Sequence, residues 1–153
     1  MKKALVYFLI AIICLIPAAL LRHTALLNLL EEDISVIPSV LEFTLVKNSG
    51  AAFGILAGNT KLLAIFTIII ILAIAVYVVV CRDKIRWLEL VSLALICGGG
   101  VFNLYERLAY GYVIDYINIQ ILPVFNFADM CVTTGCILLI IAVLFEPKKQ
   151  TNE

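Results

Sequence analysis

The chain has 153 residues, 64% of them hydrophobic and 14% charged, with a mean hydropathy of +1.13. A soluble domain is nearer half apolar and a quarter charged, so these proportions exclude a water-soluble globule. Eleven Lys and Arg offset eleven Asp and Glu for a formal net charge of +0, which argues against nucleic acid or another polyanion as partner.

A spanning helix takes about 20 mostly apolar residues, so four spans fill about half the chain and leave no room for a soluble domain of ordinary size. The expected organisation is a single membrane domain over residues 1–153, all-α in its membrane part. Its spans are expected at about 4–21, 62–81, 87–105 and 124–145, with an outer surface segment over 22–61.

The first apolar run, Ala4 to Leu21, follows Lys2 and Lys3. A basic start and an apolar stretch also describe a signal peptide. This run is long enough to span, and Ile16 and Pro17 stand where a cleavage site wants small residues, so a retained anchor is expected. The segment Arg22 to Lys61 carries Glu31, Glu32, Asp33 and Glu42. Within it, Val36 to Leu56 is too polar to span and too apolar for a plain loop. Val40, Glu42, Thr44 and Val46 alternate with Leu41, Phe43 and Leu45, a strand-like pattern, and Asn48, Ser49 and Gly50 mark a turn. A small extracytoplasmic β-sheet is expected there, between the first and second spans.

Leu62 to Cys81 contains no charge. The third span carries Glu89 near its start and Gly98, Gly99 and Gly100 in its middle, which suits a helix packed inside the bundle. The fourth stops before Glu146 and Pro147, leaving Lys148 to Glu153 as a short disordered tail. Asn103, Asn126 and Asp129 are not expected to face lipid, because unpaired polar atoms are costly in hydrocarbon. Lys2, Lys3, Arg82, Lys84, Arg86, Lys148 and Lys149 fall on one side of four spans, so both termini are expected in the cytoplasm. Glu106, Arg107 and Asp115 then belong to the second outer segment.

The five cysteines, Cys14, Cys81, Cys97, Cys131 and Cys136, lie in or beside apolar runs and read as buried small residues rather than disulfide partners. With His23 as the only histidine and no Cys pair at ligand spacing, a zinc site has no support.

Two acids stand out by position. Asp129 lies about one and a half turns into the fourth span if that helix begins near Val124, and Asp115 lies just before it. A carboxylate at membrane depth costs a few kcal/mol at least, so it has a partner or a job. The plainer alternatives are that Asp129 caps a helix starting later, and that Asp115 is a solvated loop acid. Asn126, Asp129 and Thr133 share one helical face, as do Gly99, Asn103 and Arg107 on the third span. Two polar stripes thus converge on the outer end of the bundle.

Aspartates held close together share one proton, because the first negative charge raises the second pKa. Such a pair offers a base for a water and an acid for a peptide carbonyl. No Gly-x-Ser-x-Gly elbow, Walker loop, His-Glu-x-x-His or Gly-x-Gly-x-x-Gly occurs, and Ser49 has no base nearby in the sequence.

The segments Lys-Asn-Ser-Gly-Ala-Ala-Phe-Gly (47–54), Gly-Gly-Gly-Val-Phe-Asn-Leu-Tyr-Glu-Arg-Leu (98–108), Gly-Tyr-Val-Ile-Asp-Tyr-Ile (111–117) and Phe-Asn-Phe-Ala-Asp (125–129) resemble, in order, the motifs of bacterial lipoprotein signal peptidase, or signal peptidase II. The resemblance covers nearly the whole chain. It implies a membrane aspartic endopeptidase of the bacterial cytoplasmic membrane, with its active site near the outer face. Such an enzyme removes the signal peptide from prolipoproteins bearing a diacylglyceryl cysteine. By resemblance, Asp115 and Asp129 are catalytic, while Asn48, Gly99, Asn103, Arg107 and Asn126 support the active site. The Val36 to Leu56 region matches the sheet that cradles the substrate. No metal or organic cofactor is implied; the partners are the lipidated precursor and membrane lipid, and a monomer suffices for a cleft inside one bundle.

The chain departs from the family pattern in two motifs. Where the family shows an Asp followed four residues later by Lys, this chain has Ala18 and Arg22. Its Gly-Asn-x-x-Asp-Arg reads Phe102-Asn103-Leu104-Tyr105-Glu106-Arg107. These departures keep open a divergent or non-enzymatic lipoprotein-binding paralogue. A small proton- or cation-coupled carrier fits less well, since Ile137 to Phe145 is wholly apolar.

Overall fold

A computed structural model describes residues 2–50, 56, 58–81 and 83–145. In hydrocarbon every backbone polar group must be bonded within its own segment, so the long apolar runs form helices. In chain order the described elements are α1 (Lys2–Asn28), β1 (Ile34–Ile37), β2 (Leu41–Asn48), α2 (Thr60–Cys81), α3 (Trp87–Tyr110), β3 (Val113–Asn118) and α4 (Phe127–Leu144). All four helices are long and apolar enough to cross a membrane.

Helix α3 occupies the centre. Its best window has a mean hydropathy of only 1.6 and is 50% buried, against 3.2 and 11% for α2. The less apolar helix is the one shielded from lipid, and it packs against α1, α2, α4 and β3. At Gly99 a Cβ would collide with the carbonyl oxygen of Ala128, so glycine is what lets α3 and α4 touch backbone to backbone. One apolar core joins Tyr7, Val78, Ile85, Leu90, Leu93, Ala94 and Cys97. A second, at the other end, packs Ala25 of α1 and Leu29 just beyond it under Ile114 and Tyr116 of β3. All five cysteines are free thiols, with Cys14, Cys97 and Cys131 buried.

Helix boundaries differ from those read in the sequence. Helix α1 continues through Arg22 and His23 to Asn28, and α3 runs to Tyr110, which puts Glu106 and Arg107 on a helix and not in an outer segment. Gly111, with φ of 79°, ends α3 in the left-handed conformation that favours glycine. Helix α4 starts at Phe127, not near Val124, because Asn126 is its N-cap.

The sheet is antiparallel, in the order β1-β2-β3. Its first two strands come from the expected segment between α1 and α2. The third, carrying Asp115, comes from the α3–α4 connection and was not expected. Val46 lies opposite Asp115 and Asn48 opposite Val113, after a register irregularity between Phe43 and Val46. At the bundle's other end, Lys3 Nζ donates to the Ile85 carbonyl at 2.7 Å, and the Arg86 guanidinium donates to the carbonyl of Ala142 near the end of α4. Residues 51–55 and 57 of the expected sheet segment lie outside the described residues. So do Arg82, Lys148 and Lys149 of the basic flanks and the expected tail, Lys148 to Glu153.

Candidate active site

The site forms where β2, β3 and the start of α4 meet the C-terminal third of α3. Asp115 is 1% exposed. Its Oδ2 accepts Asn48 Nδ2 at 2.8 Å, and its Oδ1 accepts Asn126 Nδ2 at 2.8 Å. Asp129 Oδ1 accepts Asn103 Nδ2 at 2.7 Å, and its Oδ2 accepts the backbone N–H of Asn126 at 3.1 Å.

Asn126 joins the two halves. Its Oδ1 accepts the Asp129 N–H at 3.0 Å, which orients the amide so that Nδ2 faces Asp115 and also Asn103 Oδ1 at 3.1 Å. Both amide hydrogens are therefore used. An unbroken path of side-chain hydrogen bonds runs from Asn48 through Asp115, Asn126 and Asn103 to Asp129. Asn48 is steadied in turn by the Gly50 N–H on its Oδ1 at 2.9 Å.

Asp115 and Asp129 both line one cavity of about 600 Å³. Asn48 and Arg107 stand on its polar side; Leu122, Val124, Phe125, Met130 and Val132 make much of its apolar wall. Arg107 donates to the Gly50 carbonyl at 3.0 Å, while its buried Nε–H has no hydrogen-bond partner among the described residues. Burial pushes the Asp115 carboxyl up to about 7. The Asn48 and Asn126 hydrogen bonds pull the other way, and the charges of Asp129 and Glu106 add to the rise. Among the described residues no group of His, Cys, Asp and Glu is placed to hold a metal ion.

All seven residues singled out in the sequence meet here: Asn48, Asn103, Asn126, Asp115 and Asp129 in one hydrogen-bonded path, Arg107 on the cavity wall, and Gly99 beneath as the contact that brings α4 to α3. The plainer reading of Asp129 is right in part, since it closes a capping box with Asn126 in the first turn of α4. Asp115 is no solvated loop acid. The wall formed by Leu122 to Phe125 was missed, with Val124 and Phe125 counted into the fourth span and Leu122 and Pro123 left in the connection before it. Pro123, which suits a position ahead of a helix, and the Asn126-x-x-Asp129 spacing were the available signals.

The departing positions contact one another. Phe102 packs with Ala18 and Ala128, a large side chain beside two small ones, and Arg22 pairs with Glu106.

These features define a multi-pass membrane protein with a carboxylate-pair site at one end of its bundle, opening on an apolar cavity. The family described as Signal peptidase (SPase) II matches residues 7–145. A lipoprotein signal peptidase of Clostridium acetobutylicum is 39% identical over 127 residues, covering 80% of this chain and 82% of that one. One from Pelotomaculum thermopropionicum is 35% identical over 147 residues, 96% of each chain. A solved bacterial membrane enzyme superposes with a TM-score of 0.85 at 32% identity, covering 97% of this chain and 93% of its own. The chain belongs to the signal peptidase II family.

Proposed function

We propose that this protein is a lipoprotein signal peptidase, an endopeptidase that cleaves the signal peptide from diacylglyceryl-modified prolipoproteins, with Asp115 and Asp129 as its catalytic pair. The observation that carries the assignment of the pair is that both carboxylates line one cavity and are tied through Asn126 and Asn103. Residues 1–153 act as one membrane domain.

With Asp115 pushed up to about 7, the pair holds a single proton near neutrality, and we place it on Asp115. Asp129, ionised, takes a proton from a water as its oxygen attacks the scissile carbonyl carbon. The Asp115 proton passes to the carbonyl oxygen, leaving a neutral tetrahedral diol. Asp129 then gives its proton to the amide nitrogen, the C–N bond breaks, and a diol hydroxyl returns a proton to Asp115 as the new carboxylic acid forms. The Arg107 Nε–H, without a partner among the described residues, is a donor for a main-chain carbonyl of the bound precursor. The apolar wall of Leu122, Val124, Phe125 and Met130 suits acyl chains, and β2 with β3 forms the cradle beside them.

The basic residues at the end away from the sheet favour a cytoplasmic location for both termini. The site then faces the outer side of the bacterial cytoplasmic membrane, where water meets the bilayer, and one copy of the chain suffices. The test is Asp115→Asn and Asp129→Asn, each expressed in a strain lacking its own activity. Loss of prolipoprotein processing in both, at normal membrane levels, is expected; processing at the parental rate in either overturns the pair.

A further inference from the structure

Glu106 is fully buried, 0% exposed, and the proposed chemistry does not use it. A buried carboxylate is costly unless paired and fully hydrogen-bonded, and its partners come from two other elements. Oε1 accepts the Nε–H of Arg22 from α1. Oε2 accepts the backbone N–H of Ile114 from β3 at 3.3 Å. One carboxylate on α3 thus joins α1 and β3, and the strand residue it holds immediately precedes Asp115.

Strand β3 is paired with β2 along one edge. Beyond Asp115 its other edge is closed by the Phe125 carbonyl, which accepts the N–H groups of Tyr116 at 3.1 Å and Ile117 at 2.8 Å. Before Asp115 the strand is closed by Glu106. Asp115 is bracketed, with a backbone tie on one side and a side-chain tie on the other. The side-chain tie is anchored by Arg22, whose guanidinium also lies over the Tyr110 ring, 4.5 Å from its centroid.

We infer that Glu106, anchored by Arg22, is a positioning residue that fixes the placement of Asp115 through the Ile114 backbone and adds a negative charge beside it. This rests on the reading of Asp115 as a catalytic acid. The charged and titratable groups around Asp115 are Asp129 from α4, Arg107 and Glu106 from α3, Arg22 from α1 and Tyr116 from β3. Tyr116 is pushed up to about 12, mainly by burial, and stays neutral. From β2 the site receives the uncharged Asn48, while Lys47 sits over the Tyr112 ring at 5.1 Å.

Charge and geometry separate by substitution. Glu106→Gln keeps an acceptor for the Ile114 N–H but removes the negative charge and leaves Arg22 unneutralised. Asp115 then holds its proton less tightly, so the alkaline limb of the kcat profile moves to lower pH by about one unit. Glu106→Ala removes the acceptor as well. A catalytic group displaced by about an ångström loses up to about 100-fold, so kcat falls by about 10- to 100-fold with KM for a diacylglyceryl-modified precursor peptide little changed. Glu106→Asp restores part of that loss. The experiment measures kcat and KM against pH for the purified full chain and these three variants, normalised to folded protein, with Asp115→Asn alongside.

Wild-type kcat in Glu106→Ala, or an unmoved alkaline limb in Glu106→Gln, overturns the inference. If Glu106→Ala does not accumulate, the pH shift in Glu106→Gln decides alone. Wild-type turnover in Asp115→Asn would instead sink the reading of Asp115 itself.

Discussion

Asn126 and Asp129 cap each other: the side-chain oxygen of Asn126 accepts the Asp129 N–H at 3.0 Å, and Asp129 Oδ2 accepts the Asn126 N–H at 3.1 Å. The first turn of α4 and one proposed catalytic carboxylate are therefore a single structural unit. One side-chain N–H of Asn126 reaches the other carboxylate, and the second reaches Asn103 Oδ1.

Asn126→Ala removes both functions. Loss of an N-cap costs about 1 kcal/mol, and each acceptor left unpaired costs about 1–3 kcal/mol more. A lower melting temperature in detergent is expected, together with a loss of precursor cleavage exceeding what the melting shift explains. Equal loss of folded protein and of activity would contradict the link.

A second expectation concerns pH. The Asp115 carboxyl moves from 3.8 unfolded to about 7 folded, so the folded chain binds more protons between these values. This contribution to stability is fully present below about pH 4 and is lost as pH rises through about 7. Thermal melts across that window should show the decline, and Asp115→Asn should flatten it. Cleavage should fall above about pH 7 as the shared proton leaves, which a kcat profile reads directly.

Gly99→Ala tests the contact beneath the site. The added methyl meets the Ala128 carbonyl and Val132, and overpacking of this kind costs about 1–3 kcal/mol. Because Ala128 precedes Asp129, the displacement reaches the carboxylate. Cleavage is expected to fall further than for Gly100→Ala, where the nearest atom stands 3.6 Å from the new Cβ.

Leu122→Asp places a charge on the apolar wall of the cavity. A higher KM for lipidated precursor, with kcat for bound substrate nearly unchanged, is the expected split. An unlipidated peptide should be affected less.

The four spans were legible because nothing but a helix satisfies a backbone across so many apolar residues. Their ends were not. Leu122 to Phe125 is as apolar as the helix it precedes, and only the cap residues mark where α4 begins, which is why Asp129 was drawn too deep. Arg22 and Glu106 did not end their helices, because each charge finds the other across α1 and α3. Strand β3 escaped notice since Val113 to Tyr116 are all buried, which erases the alternation by which a half-buried strand is recognised. Its pairing partner also lies far back in the chain. The site residues were legible as types and spacings, whereas the Asn126 bridge between the acids is a property of the assembled bundle alone.

The pairing of β2 with β3 has a consequence for biosynthesis. Asn48 leaves the ribosome long before Asp115, and Asp129 sits at the head of α4, the last of the described helices in chain order. A nascent chain with three spans inserted holds only fragments of the constellation. On the proposed function, cleavage begins only once the segment carrying Asp115, Asn126 and Asp129 has folded back against β2 and α3.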